Sequence, residues 1–326
     1  MNHNASQWKR RFAEAGDGTQ HPDKDSIKSL RREVMKDTLE AVETDLAGPA
    51  TCLAPYPLPQ TRAVNAALAA RVMPWLPWLP SPGGAPPRPP RVSVVKEDML
   101  EAAGRLVARG NRVAVLNMAS ARAPGGGVWG GCGAQEENLH RRTDLFRFLA
   151  DQLAREIEQK GYSVLYPIPD DGCLYSQRVT VLRGSEESGY PFLAAPFQIG
   201  VISCAAVHKP PLRAGQYVAP AHLQRMRAKV EVIIKTAVMG NCPVLVLGAF
   251  GCGAYGNPPA VVAELFRDAL ASAEAAGLSE VVFCILDDHN THKEHNPRGN
   301  FVPFMEVFGA GLGQPGGQRS DPRGQR

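Results

Sequence analysis

The sequence lacks the features that mark several large classes of protein. Its seven cysteines are odd in number and scattered, with no CxxC pair, which argues against a disulfide framework or a zinc ribbon. The longest apolar stretch, Val72 to Leu79, is short and broken by Pro74 and Pro77, so it cannot cross a bilayer. The N-terminus has no apolar core of a secretory signal, and the formal net charge of +4 is too small to argue for nucleic-acid binding. We expect a soluble intracellular protein, cytoplasmic or nuclear, that binds neither membrane nor DNA directly.

What remains is the composition of a globular α/β protein. Hydrophobic residues make up 44% of the chain, which is enough for a sizeable core. We expect a disordered N-terminus over 1–25, a helical extension with a proline-rich linker over 26–90, a main domain over 91–308 and a disordered tail over 309–326.

Within the main domain, apolar strands alternate with helical patterns, which predicts a sheet covered on both faces. The predicted helices are 99–109, 135–160, 222–238 and 258–275. The predicted strands are 91–95, 112–116, 163–167, 179–182, 198–203, 243–247 and 280–286.

Two glycine-rich loops each follow a buried strand. The first glycine loop, 117–134, contains Gly125–Gly127, and the second glycine loop, 248–257, leads into a helix. Ligands bind at the carboxyl ends of strands in open α/β sheets, and consecutive glycines let main-chain N–H groups turn toward phosphate oxygens. The two loops together predict a cradle for a diphosphate and its sugar, with Tyr255 offering an aromatic face to a ribose or base.

The first loop also matches the dinucleotide-binding pattern G-x-G-x-x-G at Gly125, Gly127 and Gly130. In that motif the glycines stand directly between strand and helix, and an acidic residue ends the next strand. Here nine residues separate Leu116 from Gly126, and the next acidic residue of that kind lies in a helical pattern. The context therefore excludes a Rossmann site.

A pair of adjacent glutamates, Glu136 and Glu137, follows the first glycine loop. Adjacent side chains on a helix diverge, so we expect one carboxylate to face a reacting bond and the other to bind sugar hydroxyls. An exposed Glu-Glu pair elsewhere would indicate only a solvated helix start. Its position beside the glycine loop favours a catalytic role.

These motifs resemble the microbial-type poly(ADP-ribose) glycohydrolases. Three glycines, seven residues and then QEE form that family's signature, here Gly125–Gly127 and Gln135–Glu137. The segments LNMASARAPGGG, RRTDLF and LGAFGCGAYGNPP are also similar to the family, and the resemblance covers roughly 26–308. It implies a macrodomain-like fold, an α/β mixed sheet sandwiched between helices, with an N-terminal helical extension and 91–308 as the catalytic domain.

The resemblance further implies hydrolysis of the ribose–ribose bonds of poly(ADP-ribose), releasing ADP-ribose, and so a part in reversing ADP-ribosylation and in the DNA damage response. It implies Glu137 as catalytic acid/base and Glu136 as the carboxylate that holds the ribose hydroxyls beside the scissile bond. The implied substrate-binding residues are Asn117 at the distal ribose, Gly125, Gly126 and Gly127 at the diphosphate, Gln135, and Gly253, Ala254, Tyr255 and Gly256 in the second glycine loop. The implied partners are poly(ADP-ribose) or ADP-ribosylated proteins, without a cofactor or metal, and we expect a monomer.

Two other functions stay open at this point. A macrodomain reader would hold ADP-ribose without turnover, although such a protein needs no carboxylate at the bond. A hydrolase of protein-linked mono-ADP-ribose would share these motifs. The spacing of His289, His292 and His295 invites a metal site, but Pro297 and Gly299 favour a loop there.

Overall fold

The computed structural model describes residues 4–16, 23–47, 61–65, 89–149, 166–272 and 275–309. Its helices are α1 (Ala5–Gly16), α2 (Lys24–Ala47), α3 (Met99–Ala108), α4 (Gln135–Arg142), α5 (Phe146–Leu149), α6 (Pro220–Met239), α7 (Pro259–Leu270) and α8 (Phe301–Phe308). Its strands are β1 (Thr61–Asn65), β2 (Arg91–Val95), β3 (Val113–Met118), β4 (Gly172–Arg183), β5 (Phe192–Cys204), β6 (Leu212–Arg213), β7 (Gln216–Tyr217), β8 (Val244–Leu247) and β9 (Glu280–Cys284). None of the helices in these ranges is both long and apolar enough to span a bilayer.

Seven of the strands form one mixed sheet in the order β1-β4-β5-β3-β8-β9-β2. The five strands from β5 to β2 run parallel, and β4 and β1 pair antiparallel at the other edge. Strand β8 is buried throughout and β3 nearly so, as their continuous apolar sequences predict. Helix α3 packs on β3, β5 and β8, and α6 packs on β4 and β5.

The parallel strands bring four loops to one edge of the sheet. The carboxyl ends of β3, β5, β8 and β9 are followed by the first glycine loop, by 205–211, by the second glycine loop and by 285–300, respectively. Since parallel strands all end on the same side, residues far apart in sequence meet there. Any binding site built by both glycine loops must lie at this edge.

Several sequence predictions differ from the structure. Residues 5–16, expected to be disordered, form α1, and the segment 26–90 contributes the edge strand β1 as well as a helix. The hairpin β6–β7 and helix α8 were not predicted. Most of the proline-rich stretch, residues 163–165 of a predicted strand and the tail from 310 lie outside the described residues.

The long helix predicted over 135–160 ends at Arg142. Thr143 is extended and forms a bridge with Val181 of β4. The Thr180 N–H then donates to the Asp144 carboxylate at 2.7 Å. These contacts with β4 take the place of the next helical turn. The helix therefore ends where the chain meets the sheet, although the amphipathic sequence pattern continues. Residues 150–160 are outside the described ranges.

The N-terminal helices pack against the main domain beside α4. Trp8 of α1 is buried against Tyr190, with the two rings 5.2 Å apart and nearly perpendicular. Thr38 of α2 accepts a hydrogen bond from Arg183 and lies 2.8 Å from the Arg141 carbonyl oxygen. The extension is therefore joined to the chain that follows the first glycine loop.

Gly131 allows α2 to approach the first glycine loop closely. It has a φ of +75°, and a methyl group there would overlap the Lys28 carbonyl oxygen. Gly110 has a similar φ of +83° with no neighbour within 4 Å. We expect Gly110→Ala to lower the free energy of unfolding by about 1–2 kcal/mol through its left-handed backbone alone.

For Gly131→Ala we expect a further loss of about 1–3 kcal/mol because the added methyl overpacks the contact with α2. Urea unfolding of both variants against the parental protein measures the difference. Equal destabilisation of the two variants would show that the contact between Lys28 and Gly131 contributes nothing.

Candidate active site

A cavity of about 600 Å³ lies at the carboxyl edge of the parallel strands. Its volume is within the usual range of small-molecule sites. Its wall includes the apolar side chains of Met99, Leu100 and Leu286 and residues of the second glycine loop. We call the part that holds the carboxyls of Glu136 and Glu137 the acidic end. The site therefore combines apolar surface with buried acids.

The two glutamates stand in the first turn of α4 and fold back onto the first glycine loop. Glu136 accepts hydrogen bonds from the N–H groups of Ser120 at 2.7 Å and Gly125 at 3.2 Å. Glu137 accepts one from the N–H of Gly127 at 2.9 Å. Both carboxyls are buried, and Oε2 of Glu137 has no hydrogen-bond partner. One carboxylate oxygen on the cavity wall thus remains uncommitted.

The expectation that adjacent glutamate side chains diverge is wrong here. A methyl group at Gly126 would meet Oε2 of Glu136 at 2.7 Å and Oε1 of Glu137 at 2.9 Å. The carboxyls converge because both residues belong to the first turn of α4, where free main-chain donors of the loop attract them. Gly126 also has a φ of +53°, so both its backbone and the space around it require glycine.

The N–H groups of the tri-glycine do not face the cavity as free donors. Gly125 and Gly127 donate to the glutamates, and Gly126 donates to the Ala123 carbonyl oxygen at 3.1 Å. The expectation that these amides turn to a diphosphate is therefore not met in this structure. Gly126 and Gly127 still line the cavity and leave room for a ligand against the main chain.

Free donors occur in the second glycine loop. Gly253, Ala254 and Tyr255 line the cavity, and within the described chain their N–H groups make no hydrogen bond. Gly256 has a φ of +69° and donates to the Gly253 carbonyl oxygen, which closes the turn. An anion in the cavity would find its main-chain donors in this loop.

Asn117 and Gln135 lie at the site, and their side-chain amides form hydrogen bonds with other parts of the protein. Asn117 is fully buried at the end of β3 and donates to Ser203 at 3.0 Å, while its Oδ1 has no partner. Gln135 lines the cavity, accepts from the Met118 N–H at 2.8 Å and donates to the Leu116 carbonyl oxygen at 2.9 Å. Gln135 thus ties the start of α4 to β3.

Burial dominates the electrostatics of the acidic end. It raises the pKa of Glu136 to about 8, and the neighbouring Glu137 carboxyl adds to the rise, while the N–H groups of Ser120 and Gly125 oppose it. Burial also lowers the pKa of His140 to about 4. His140 is therefore neutral, and its Nδ1–H donates to the Glu136 carbonyl oxygen at 2.9 Å.

Tyr166 is a residue at this end that sequence reasoning missed. Its hydroxyl is buried without a hydrogen-bond partner. Burial raises the pKa of that hydroxyl, and the nearby Glu136 and Tyr255 add to the rise. No motif marks Tyr166, and only the packing of the described fold brings it close to the glutamates.

Two pairs of charged residues make contacts within the protein. Arg141 and Arg142 are buried, so they do not form a solvated helix face, and Arg142 also lines the cavity. Arg141 donates to the Cys132 carbonyl oxygen, and Arg142 pairs with Asp98 at 2.7 Å. Asp287 accepts from the Asn300 N–H at the start of α8, and Asp288 accepts from the Asn290 N–H in the turn that follows it.

The histidine-rich segment forms a loop, as predicted. His289 and His292 are exposed, and Nε2 of His295 donates to the Cys252 carbonyl oxygen at 2.9 Å. Among the residues that the structure describes, no group of three His, Cys, Asp or Glu side chains is arranged to hold a metal ion.

Comparison with known proteins identifies relatives with this arrangement. The sequence model of the family described as "Microbial-type PARG, catalytic domain" matches residues 58–184, which include the first glycine loop and both glutamates. No curated protein sequence matches the chain.

Solved structures match over most of the chain. The crystal structure of poly(ADP-ribose) glycohydrolase from Thermomonospora curvata has a TM-score of 0.64 and 26% identity, covering 85% of this chain and 99% of that one. The same enzyme bound to the inhibitor ADP-HPD has a TM-score of 0.62 and 25% identity, with the same coverage. The enzyme from Deinococcus radiodurans in complex with ADP-ribose has a TM-score of 0.58 and 27% identity, covering 77% of this chain and 94% of that one.

The family match and these neighbours agree with the predicted fold class, a mostly parallel mixed sheet flanked by helices. They also agree with the motifs around the two glutamates, since the matched segment spans the turn that carries them. Residues 58–184 thus match the microbial-type poly(ADP-ribose) glycohydrolase catalytic domain, and the fold is similar to that of two bacterial poly(ADP-ribose) glycohydrolases.

Proposed function

We propose that this chain hydrolyses the ribose–ribose O-glycosidic bonds of poly(ADP-ribose) and releases ADP-ribose, with Glu137 as acid/base. The observation that carries the proposal is the pair of buried carboxyls at one end of a cavity of about 600 Å³. A protein that only binds ADP-ribose has no need to bury two adjacent acids, since burying unpaired charge is unfavourable.

The lining of the cavity supports a placement for ADP-ribose. The adenine would pack against apolar side chains of the wall, such as Leu286. The diphosphate would accept hydrogen bonds from the free N–H groups of Gly253, Ala254 and Tyr255. The distal ribose would then reach Glu136 and Glu137. This orientation assigns the diphosphate mainly to the second glycine loop.

The reaction needs a proton at the leaving oxygen. Burial raises the pKa of Glu136 to about 8, so this carboxyl keeps a proton at neutral pH beside Glu137. The Glu137 carboxyl, whose Oε2 has no partner, would deliver a proton to the leaving 2′-oxygen as the bond to the anomeric carbon breaks.

The remaining steps restore the enzyme. An oxocarbenium-like sugar forms, and the adjacent diphosphate stabilises its positive charge. The Glu137 carboxylate then takes a proton from water as the water oxygen bonds to the anomeric carbon. Glu136 holds the hydroxyls of the same ribose. One water is consumed, and each glutamate returns to its starting state.

Product analysis tests the function. We expect the purified protein to release ADP-ribose from poly(ADP-ribose), with mono-ADP-ribosylated protein as the comparison substrate. Binding of ADP-ribose without release from either substrate would identify a reader. Release only from the mono-ADP-ribosylated protein would identify a different hydrolase and overturn the proposal.

The acid/base role predicts a large loss on Glu137→Gln. We expect the rate of ADP-ribose release to fall by about 10²–10⁴-fold, since a glutamine cannot transfer the proton. Binding of ADP-ribose, measured by calorimetry, should persist because Gln can keep the hydrogen bond from the Gly127 N–H. Glu187→Gln, at an exposed residue without an ion pair, is the matched control. Near-parental release by Glu137→Gln would exclude the assignment.

The raised pKa of Glu136 predicts a dependence of stability on pH. The ordinary value is 4.5 and the folded value about 8, so the unfolded chain releases this proton more readily. The protonated Glu136 carboxyl therefore contributes stability that is fully present below pH 4.5, and this contribution is lost as the pH rises through about 8. We expect the Tm of the parental protein to fall across this window, and that of Glu136→Gln to fall less. Melting curves at several pH values check this, with Glu187→Gln keeping the parental slope. Parallel curves for Glu136→Gln and the parental protein would contradict the prediction.

A further inference from the structure

Two side chains of the loop that follows β9 hold one carbonyl oxygen of the second glycine loop. Nε2 of His295 donates to the Cys252 carbonyl oxygen at 2.9 Å, and Nδ2 of Asn296 donates to the same oxygen at 3.2 Å. We propose that His295 is a positioning residue for the diphosphate, because it orients the N–H of Gly253 toward the ligand. This inference rests on the proposed function and adds to it a residue outside the cavity wall.

The geometry of the peptide group connects that carbonyl oxygen to the N–H. The Cys252–Gly253 bond is trans, and in a planar trans peptide the C=O and the N–H point in opposite directions. The carbonyl points toward His295 and Asn296, which do not line the cavity, whereas Gly253 does. The N–H of Gly253 is thus directed away from both side chains and is left for a ligand.

Few other contacts fix the orientation of this peptide group. The Cys252 N–H and the Gly253 carbonyl oxygen are used inside the loop, by Ala249 and Gly256 respectively. Within the described chain, a methyl group at Gly253 would meet nothing nearer than Cβ of Asn290, at 3.8 Å. Because packing leaves this peptide group room to rotate, the two hydrogen bonds to its carbonyl oxygen determine where its N–H points.

Asn296 supports the same arrangement from within the fold. It is buried, and its Nδ2 also lies 2.9 Å from the Asn290 carbonyl oxygen and from Oδ1 of Asn300. Asn290 and Asn300 both line the cavity. One buried amide thus joins the wall formed by 285–300 to the second glycine loop, and the half-buried His295 adds the shorter of the two hydrogen bonds to Cys252.

The free donors of the second glycine loop suit an anion. The N–H groups of Gly253, Ala254 and Tyr255 follow one another, and none of them makes a hydrogen bond within the described chain. Consecutive free N–H groups in a turn form concave sites for anions such as a diphosphate. His295 would act on such a ligand only through the peptide group before Gly253. Its loss should therefore weaken binding and leave the remaining donors in place.

Binding of ADP-ribose tests the role of His295. Replacing Asn296 would leave several buried groups unpaired, so His295 is the residue to change. For His295→Leu we expect the Kd for ADP-ribose, measured by calorimetry, to rise about threefold to tenfold, the usual contribution of one hydrogen bond. His295→Gln should restore the parental Kd, because its side-chain nitrogen is as many bonds from Cβ as Nε2 of histidine and also donates.

The matched control is His292→Leu. His292 lies in the same loop, and its Nδ1 is 3.1 Å from the Pro297 carbonyl oxygen rather than near the second glycine loop. The substitution is the same and removes a hydrogen bond of the same kind. We expect His292→Leu to keep the parental Kd for ADP-ribose.

The Gly253 amide provides a second measurement that a merely structural role would not change. The chain has two Cys-Gly steps, Cys132–Gly133 and Cys252–Gly253. Isotopic labelling of the cysteine carbonyl carbon and the glycine nitrogen therefore selects two amide signals by NMR, and Cys132→Ser removes the one from Gly133. Saturating ADP-ribose should shift the Gly253 amide proton downfield in the parental protein and in His295→Gln. The shift should be clearly smaller in His295→Leu.

The outcomes are distinct. An unchanged Kd in His295→Leu, an unchanged Gly253 shift in that variant or a failure of His295→Gln to restore binding would overturn the positioning role. The same loss in His292→Leu would overturn it in favour of a general disturbance of the loop. If the parental protein binds ADP-ribose with the expected shift but releases none from polymer, the proposed function fails and the role of His295 stands. If it binds no ADP-ribose, both fail.

Discussion

The acidic end of the cavity depends on hydrogen bonds between main-chain N–H groups of the first glycine loop and two glutamate side chains of α4. Ser120 and Gly125 donate to Glu136, and Gly127 donates to Glu137. These hydrogen bonds satisfy carboxyl oxygens that are buried away from water. They fold the loop back onto the helix start and fix both carboxyls before a substrate arrives, which is the pre-organisation that catalysis requires.

The same contacts create the chemical reactivity of the site. Two acids are held against Gly126 in a buried environment, where a second negative charge is unfavourable. Burial raises the pKa of Glu136 to about 8 against the effect of its N–H partners. A carboxyl that keeps its proton near neutral pH suits a site proposed for acid/base chemistry. The hydrogen bonds that hold Glu136 in place thus also keep it in the buried environment that raises its pKa.

The N-terminal helices support this turn from the outside. Arg31 of α2 pairs with Glu186 at 2.7 Å, and its guanidinium lies against Gly133 of the first glycine loop. Arg141, which follows the two glutamates on α4, donates to Tyr190, and Trp8 of α1 packs on that tyrosine ring. The extension therefore belongs to the architecture of the active site. A change in its packing should reach the glutamates through α4 and the loop.

Part of the fold and of the candidate site could be predicted from the sequence, and part could not. Local patterns sufficed for β2, which has the predicted bounds 91–95, and for the start of α4 at Gln135. The end of α4 was missed because Thr143 pairs with Val181, a residue 38 positions later. The hydrogen-bond partners of the tri-glycine N–H groups and of Arg141 were missed for the same reason, because those partners belong to other elements.

By itself the sequence determined the alternation of strands and helices, the two glycine loops at strand ends and the resemblance of the QEE turn to microbial-type poly(ADP-ribose) glycohydrolases. These depend on side-chain periodicity and backbone freedom, which are properties of neighbouring residues. Only the tertiary structure decided that both carboxyls converge on Gly126 and that the free donors lie at Gly253–Tyr255. Each of those facts joins residues from separate strands or loops, and such distances are set when the sheet assembles.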